Sequence, residues 1–232
     1  MKKLLSLSLA IAMVCLLVGC SCGETKKAEQ ETTTIAWTKG ESLFGSQIRA
    51  YADACKSNKT KDIMKKQKLT TGFGEVAKEK NLSDRIGYTF ADLNGDGTEE
   101  LLISLIDKKD KLNNYIIAAY QYTDKGIQRV LEGWSKNTYH LMNDKMILNQ
   151  ASGDGKDAEI SKLHMRENAF EYMSALAMKY DKKDNIKYYY AEVGRPENTK
   201  KFEVSKDTWQ KKCKEWEDSV DTDNVRKIKD FK

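Results

Sequence analysis

Histidine is scarce in this chain, with only two residues among 232, His140 and His164. Both fall inside predicted strands, and neither belongs to a His-Glu-x-x-His zinc motif. The sequence also lacks a Gly-x-Ser-x-Gly nucleophile elbow and a glycine-rich phosphate loop. These absences leave no recognisable catalytic set, so the question of an enzymatic role stays open with a preference for a non-enzymatic one.

Cysteine is present but is not arranged for zinc. The part of the chain expected to fold has no Cys-x-x-Cys pair, and Cys20 and Cys22 precede that part. Cys55 and Cys213 occupy apolar positions of predicted helices. They could form a disulfide in an exported protein, or they could be two buried free thiols.

The chain has no concentrated charge of one sign. Its formal net charge is +5, and lysine alternates with acidic residues along its length. Removing residues 1–19 takes away two lysines, which leaves 5 − 2 = +3. A nucleic-acid partner would need a clustered basic face, so we predict none.

No apolar run is long enough to be an easy transmembrane helix. The longest stretches from Leu4 to Val18, and Lys2 and Lys3 precede it. A short positive region followed by such a run is the build of a secretory signal peptide, which we predict over residues 1–19.

The end of this segment, Leu17-Val18-Gly19-Cys20, resembles the lipobox of bacterial lipoproteins. The resemblance implies that the chain is cut before Cys20 and that its thiol carries a diacylglycerol. Several acyl chains on one residue hold a protein stably on a membrane. The resemblance therefore implies a lipid-anchored protein on the extracytoplasmic face of the cell membrane.

The mature chain divides into a tether and a domain. Residues 20–38 are polar, have no sustained apolar period and are typical of a flexible linker behind the lipidated cysteine. Residues 39–232 have the size of a single domain.

Hydrophobic periodicity predicts an α+β domain with N-terminal helices, a mostly antiparallel β-meander in one sheet and a C-terminal helix. Helical spacing covers 42–57, and 61–68 is either helical or irregular. The predicted strands are 86–93, 100–106, 115–122, 127–132, a hairpin over 138–148, 158–165 and 186–193. Residues 167–180 fit either a strand or a helix, and their strand neighbours favour a strand. Ser205 is a predicted N-cap, and Trp209, Cys213 and Trp216 then form one apolar stripe.

The stretch FADLNGDGTEELLI, residues 90–103, stands out between two predicted strands. Counted from Asp92, oxygen-bearing side chains occupy positions 1, 3, 5 and 9, and glycine occupies position 6. Calcium prefers six to eight oxygen ligands, and alternate residues of a short loop can supply them. The candidate ligands are Asp92, Asn94, Asp96, the carbonyl of Thr98, and Glu100.

This pattern resembles the D-x-[DN]-x-D-G calcium loop shared by EF-hands, dockerins and FG-GAP/VCBS-type repeats. Position 12, a bidentate Glu in EF-hands, is Ile103 here, and strands replace the flanking helices. The match is therefore better to the strand–loop–strand form, which also resembles a signature of exported lipoproteins from Gram-positive bacteria. The alternative is a plain hairpin turn, since Asn-Gly and Asp-Gly are strong turn formers.

Together these features predict a calcium-stabilised, membrane-anchored domain that binds a cell-envelope or extracellular ligand. One alternative is an enzyme acting on cell-wall or dietary glycans, with Glu99 and Glu100, or Asp92 and Glu100, as paired carboxylates. Another is the solute-binding component of a transporter, although the domain is smaller than the usual two-lobed form.

Overall fold

A computed structural model describes residues 38–57, 60–77, 79–107, 111–152, 157–192, 203–223 and 225–231. These residues belong to one compact unit, Trp37–Lys232. The predicted signal peptide, Cys20 and all of the predicted tether except Thr38 lie outside the described residues.

Four helices precede the first strand of the described chain: α1 (Lys39–Lys56), α2 (Thr60–Gln67), α3 (Thr71–Val76) and α4 (Leu82–Arg85). A capping box begins α1, in which the Thr38 hydroxyl accepts the Glu41 N–H at 3.2 Å and the Glu41 carboxylate accepts the Thr38 N–H at 3.0 Å. The apolar spacing had predicted a start at Ser42. The helix begins three residues earlier because Thr38 supplies the cap.

The described strands are β1 (Ile86–Ala91), β2 (Glu100–Leu105), β3 (Ile116–Thr123), β4 (Gly126–Glu132), β5 (Asn137–Leu141), β6 (Ile147–Ser152), β7 (Ala158–Arg166), β8 (Ala169–Tyr180), β9 (Ile186–Ala191), β10 (Glu203–Val204) and β11 (Arg226–Lys227). All pairings between them are antiparallel. The ambiguous segment 167–180 therefore contributes a strand, as the neighbouring strands had favoured. The α+β class with antiparallel strands is confirmed.

The expected single meander is divided into two sheets. The first has the order β11-β1-β2-β3-β4, and the second has the order β10-β9-β8-β7-β6-β5. The break follows β4, where Gly133 passes so close to β3 that a Cβ would lie 2.2 Å from the Ile116 carbonyl oxygen. Trp134 and Asn137 then exchange backbone hydrogen bonds, and the chain turns away before β5 can pair with β4.

Three apolar clusters hold these layers together. The first lies between the N-terminal helices and the first sheet, and contains Phe44, Ile48, Tyr51, Leu101 and Ile103. The second joins the two sheets and contains Leu102, Ile116, Ala119, Ile147, Leu163 and Met165. Alternate residues of β2 thus belong to different clusters, as the two-residue period of a strand requires. Because β2 is buried on both faces, its residues Glu100–Leu105 are all buried.

The third cluster lies between the second sheet and α5 (Lys206–Asp218). Ser205 caps this helix as predicted, since its hydroxyl accepts the Thr208 N–H at 3.1 Å. Cys213 and Trp216 are buried against the sheet, and Trp209 is half-buried beside Tyr188. The aromatic stripe of α5 therefore serves as core.

The last described segment returns to the first cluster. β11 pairs with β1, and a 3-10 turn over Ile228–Asp230 follows it. Ile228 and Phe231 are buried among the residues of the first cluster. The C-terminal end thus covers the same core as α1.

Candidate calcium site

The loop of residues 92–99 joins β1 to β2, whose paired ends are Ala91 and Glu100. Positive φ angles of 75° at Gly95 and 83° at Gly97 turn its backbone, a conformation that glycine adopts without steric cost. The predicted strand–loop–strand arrangement is confirmed. Gly97 also makes the sharp turn that its position in the motif assigns to it.

Asp92, the first predicted ligand, bonds to the loop that follows it. Its Oδ1 accepts the Gly95 N–H at 2.8 Å, and its Oδ2 accepts the Gly97 N–H at 3.1 Å. An ionised carboxylate offers about four acceptor positions. These two bonds orient Asp92 and still leave its oxygens able to take a cation.

Asn94 and Asp96 continue the same pattern. Asn94 Oδ1 accepts the Asp96 N–H at 3.0 Å, and Asp96 Oδ1 accepts the Thr98 N–H at 2.7 Å. The Asn94 amide also donates to Asp96 Oδ2 at 3.0 Å. The side chains at positions 1, 3 and 5 therefore all accept hydrogen bonds from N–H groups of the same short loop. At position 7, the predicted ligand is the carbonyl of Thr98.

Glu100 differs from the other predicted ligands because it is fully buried, with 0 % of its surface exposed. Its Oε2 accepts the Leu93 N–H at 2.8 Å across the base of the loop. Its Oε1 is buried and has no hydrogen-bond partner. Leaving a buried carboxylate oxygen unpaired is costly, so this atom calls for a proton or a cation.

The electrostatics of Glu100 agree with its position. Burial is the largest effect, and together with the negative charges of Asp96 and Asp92 it raises the pKa of Glu100 to about 7. The Leu93 N–H opposes them by stabilising the charged form. The three carboxylates therefore repel one another, and a cation among them would relieve that repulsion.

In the described part of the chain, no group of three His, Cys, Asp or Glu side chains is gathered tightly enough to hold a metal ion. The predicted ligands also include the Asn94 amide oxygen and the Thr98 backbone carbonyl. In the structure, the Asp92 and Asp96 carboxylates accept hydrogen bonds from loop N–H groups. Binding would therefore require residues 92–98 to close further. Residues 94–99 are half-buried or exposed, so solvent reaches the part of the loop that carries Asn94, Asp96 and Glu99. The unpartnered oxygen of Glu100 is the feature of the site that a bound cation would explain.

An open cleft of about 300 Å³ lies beside the loop. Asp92, Gly97 and Glu99 line one part of it, and Lys39 and Leu43 of α1 line another. This cleft gives Asp92 access to solvent. Glu99 is exposed, whereas Glu100 is buried beneath the loop, so Glu100 is not presented to a saccharide in the way a paired-carboxylate site requires.

One residue next to the site belongs to no sequence motif. Gln121 of β3 is 7 % exposed, its amide nitrogen donates to the Glu167 carbonyl at 2.8 Å, and its Oε1 is buried without a partner. Asn94 donates to the same carbonyl at 3.2 Å. The sequence feature that could identify Gln121 is the two-residue period of a strand. This period places Gln121 beside Glu100 once the register of β2 and β3 is known.

The two histidines lie in strands, as predicted. His140 of β5 is buried, and its ring nitrogens bond to the Asn114 carbonyl at 3.0 Å and to the Thr138 hydroxyl at 3.2 Å. His164 is half-buried in β7. No catalytic partner set was predicted around either residue.

Cys55 and Cys213 are free thiols. Cys55 packs against the first apolar cluster and Cys213 belongs to the third, on the other side of the two sheets. In the structure the two thiols are not joined, and Cys213 is buried whereas Cys55 is half-buried. Burial raises the pKa of each to about 12, so neither is a reactive thiolate near neutral pH.

Comparison of the chain with family models, curated proteins and solved structures finds no match. Among the described helices, none combines the length and the apolar character needed to span a membrane. Function is therefore inferred from the residues of this chain.

Proposed function

We propose that this protein is a membrane-anchored extracytoplasmic lipoprotein whose domain is stabilised by calcium bound at residues 92–100. The observation that carries the calcium proposal is the buried, unpartnered Glu100 Oε1 beneath a loop with three further oxygen-bearing side chains. An oxygen cage of this kind favours Ca²⁺ over Mg²⁺, which usually keeps several waters. Asp92, Asn94, Asp96, Thr98 and Glu100 would hold the ion.

In this proposal the ion has a structural role. It would neutralise the repulsion among the loop carboxylates and join the end of β1 to the start of β2. Because Ile103 replaces the bidentate Glu of an EF-hand, we expect weak affinity, which suits an extracellular site working near millimolar calcium. The domain would present a binding or envelope-interaction surface. For the whole chain, we propose that N-terminal helices come first, a β-meander second and a C-terminal helix last.

Thermal unfolding of the full chain in calcium, magnesium or EGTA tests the ion. At free calcium one hundred times Kd, binding should stabilise the fold by about 2.7 kcal/mol. For a domain of this size, that raises Tm by roughly 5–10 °C. The double variant Asp92→Ala/Asp96→Ala should lose the shift. An equal Tm in calcium and EGTA for the wild type would refute the calcium site.

Glu100→Gln with Glu99→Gln as its matched control separates the buried carboxylate from its exposed neighbour. In EGTA at pH 8, Glu100→Gln should raise stability by about 1–3 kcal/mol, because it removes an uncompensated buried charge. It should also reduce the calcium shift. Glu99→Gln should change neither quantity. If Glu100→Gln keeps the full calcium shift, Glu100 is not a ligand.

The anchor is supported by the resemblance of Leu17-Val18-Gly19-Cys20 to a lipobox. Metabolic labelling with a fatty-acid analogue in a bacterial host should label the wild type. Cys20→Ala should lose the label, and Cys22→Ala, two residues away, should keep it. Unchanged labelling of Cys20→Ala would rule out this assignment.

A further inference from the structure

Two buried oxygens without partners lie on neighbouring strands of the first sheet. Leu101 of β2 pairs with Tyr120 of β3, so the next positions, Glu100 and Gln121, are also side by side. Leu101 and Tyr120 belong to the first apolar cluster, and strand alternation turns Glu100 and Gln121 to the opposite face. Glu100 Oε1 and Gln121 Oε1 are both buried and unpartnered.

The orientation of the Gln121 amide is set by the second sheet. Its nitrogen donates to the carbonyl of Glu167, at the turn between β7 and β8. Reversing the amide would place its oxygen against that carbonyl oxygen, and the two acceptors would repel each other. The nitrogen therefore faces the turn, and the oxygen is left without a donor.

The loop reaches the same carbonyl from the other side. The Asn94 amide donates to the Glu167 carbonyl at 3.2 Å, while its oxygen accepts the Asp96 N–H. Gln121, Glu167 and the loop thus meet at one place. Glu167 has φ 51°, so this turn holds a left-handed conformation that a non-glycine residue rarely adopts.

We propose that Gln121 Oε1 is a calcium ligand contributed from outside the loop, and that the Gln121 amide nitrogen links the bound ion to the second sheet. This inference rests on the proposed calcium site. Amide carbonyls are among the oxygens that Ca²⁺ accepts, and the loop lacks the bidentate carboxylate of an EF-hand at Ile103. Gln121 would supply one of the missing ligands and would satisfy its own buried oxygen.

The consequence is a structural connection between the two sheets. Calcium would order the loop through Asp92 and Asp96 and, through Gln121, would also restrain the β7–β8 turn. Removing calcium would then loosen a turn in the second sheet as well as the loop in the first.

The test uses the full chain and the variant Gln121→Met, which keeps the length of the side chain and removes its polar end. Gln128→Met is the matched control, because Gln128 pairs with Gln121 on the adjacent strand β4. Calorimetric titration with Ca²⁺ should show affinity lowered by roughly ten- to a hundred-fold for Gln121→Met. The control should bind as the wild type does.

Two further readouts test ligation and linkage directly. The luminescence lifetime of bound Tb³⁺ in H₂O and D₂O counts coordinated waters, and Gln121→Met should have about one more than the wild type if one protein oxygen is lost. Hydrogen exchange at residues 166–169 should slow on adding Ca²⁺ in the wild type and not in Gln121→Met. Gln121→Glu keeps an oxygen but lacks the N–H, so it should retain Ca²⁺ binding and lose this slowing.

The outcomes separate the two proposals. If the wild type binds Ca²⁺, Asp92→Ala/Asp96→Ala does not, and Gln121→Met has wild-type affinity and water count, then the loop site stands and the Gln121 inference is wrong. If the wild type binds no Ca²⁺, both fall. If Gln121→Met does not fold, Gln121→Glu serves as the test. Loss of Ca²⁺ binding by folded Gln121→Glu would overturn the inference.

Discussion

At the scale of single residues, two carboxylates are buried in the described part of the chain, and their surroundings differ. Glu41 receives hydrogen bonds from the Tyr88 hydroxyl at 2.7 Å, from Arg226 at 2.9 Å and from the Thr38 N–H. Glu100 receives one hydrogen bond, and its other oxygen has no partner. A structural buried charge is compensated by its surroundings. The missing compensation at Glu100 is therefore the observation that supports the proposed cation site.

Glu41 supports a prediction about pH. Burial alone would raise its pKa, but the hydrogen bonds from Thr38 and Tyr88 and the charge of Arg226 outweigh burial and hold the pKa below its usual value. A depressed pKa in the folded state contributes stability that is present above the ordinary value of 4.5 and is lost as pH falls through the lower folded value.

Glu41→Gln should therefore destabilise the protein by roughly 1–2 kcal/mol at pH 7. The difference from the wild type should shrink as pH falls below 4.5. Urea unfolding at pH 7 and at pH 3.5 measures both values. Glu171→Gln, which removes an exposed ion pair with Arg166, is the control and should change stability little at either pH. An undiminished difference at pH 3.5 would contradict this account of Glu41.

At the scale of elements, helix α5 covers one face of the second sheet with a single stripe. Trp216 is 6 % exposed and packs with Leu148, Ile160 and Leu176. Lys162 Nζ lies 5.5 Å from the centre of its ring, so a cation–π contact adds to the packing. The tryptophans of α5 are thus explained by burial, without a saccharide.

Truncation of this stripe should destabilise the domain. Trp216→Ala should cost about 3–5 kcal/mol, because it leaves a large cavity between α5 and the sheet. Trp134→Ala is the matched control, since Trp134 is 37 % exposed and should cost less than about 1 kcal/mol. Urea unfolding followed by circular dichroism compares them. Equal losses for the two variants would show that α5 does not depend on this contact.

At the scale of the whole molecule, the two ends of the described chain share one core. Ile228 and Phe231 pack with Phe44 and Ile48 of α1, and Arg226 bonds to Glu41. The Arg226 contact therefore holds the N-terminal helix from 185 positions away in the chain. The domain needs its last segment to complete its first cluster.

Removing residues 225–232 should consequently lower the free energy of unfolding by about 3–6 kcal/mol, because burial of each large apolar side chain contributes about 1.5–3 kcal/mol. Loss of the β11 pairing adds to this. Urea unfolding of the shortened chain measures the effect. Lys229→Ala, which removes an exposed ion pair with Asp84, is the control and should cost at most about 1 kcal/mol. A shortened chain as stable as the wild type would show that the segment is not part of the cooperative unit.

The sequence by itself determined the features that depend on near neighbours. The loop at 92–100, the cap at Ser205, the apolar stripe of α5 and the strand periods of β1–β3 all follow from residues within a few positions of one another. Local hydrogen bonds and side-chain periodicity act over that distance. These features could therefore be predicted without a tertiary structure.

Only the tertiary structure decided what distant residues do together. It divided the meander into two sheets, placed Cys55 and Cys213 in separate cores and buried Glu100 between β1 and β3. It also brought Gln121 and the Glu167 carbonyl to the loop. Burial and cross-strand contact depend on which segments pack against each other, and a local sequence pattern does not specify that packing. A loop that resembles a turn becomes a candidate cation site because the fold leaves one buried oxygen beneath it without a partner.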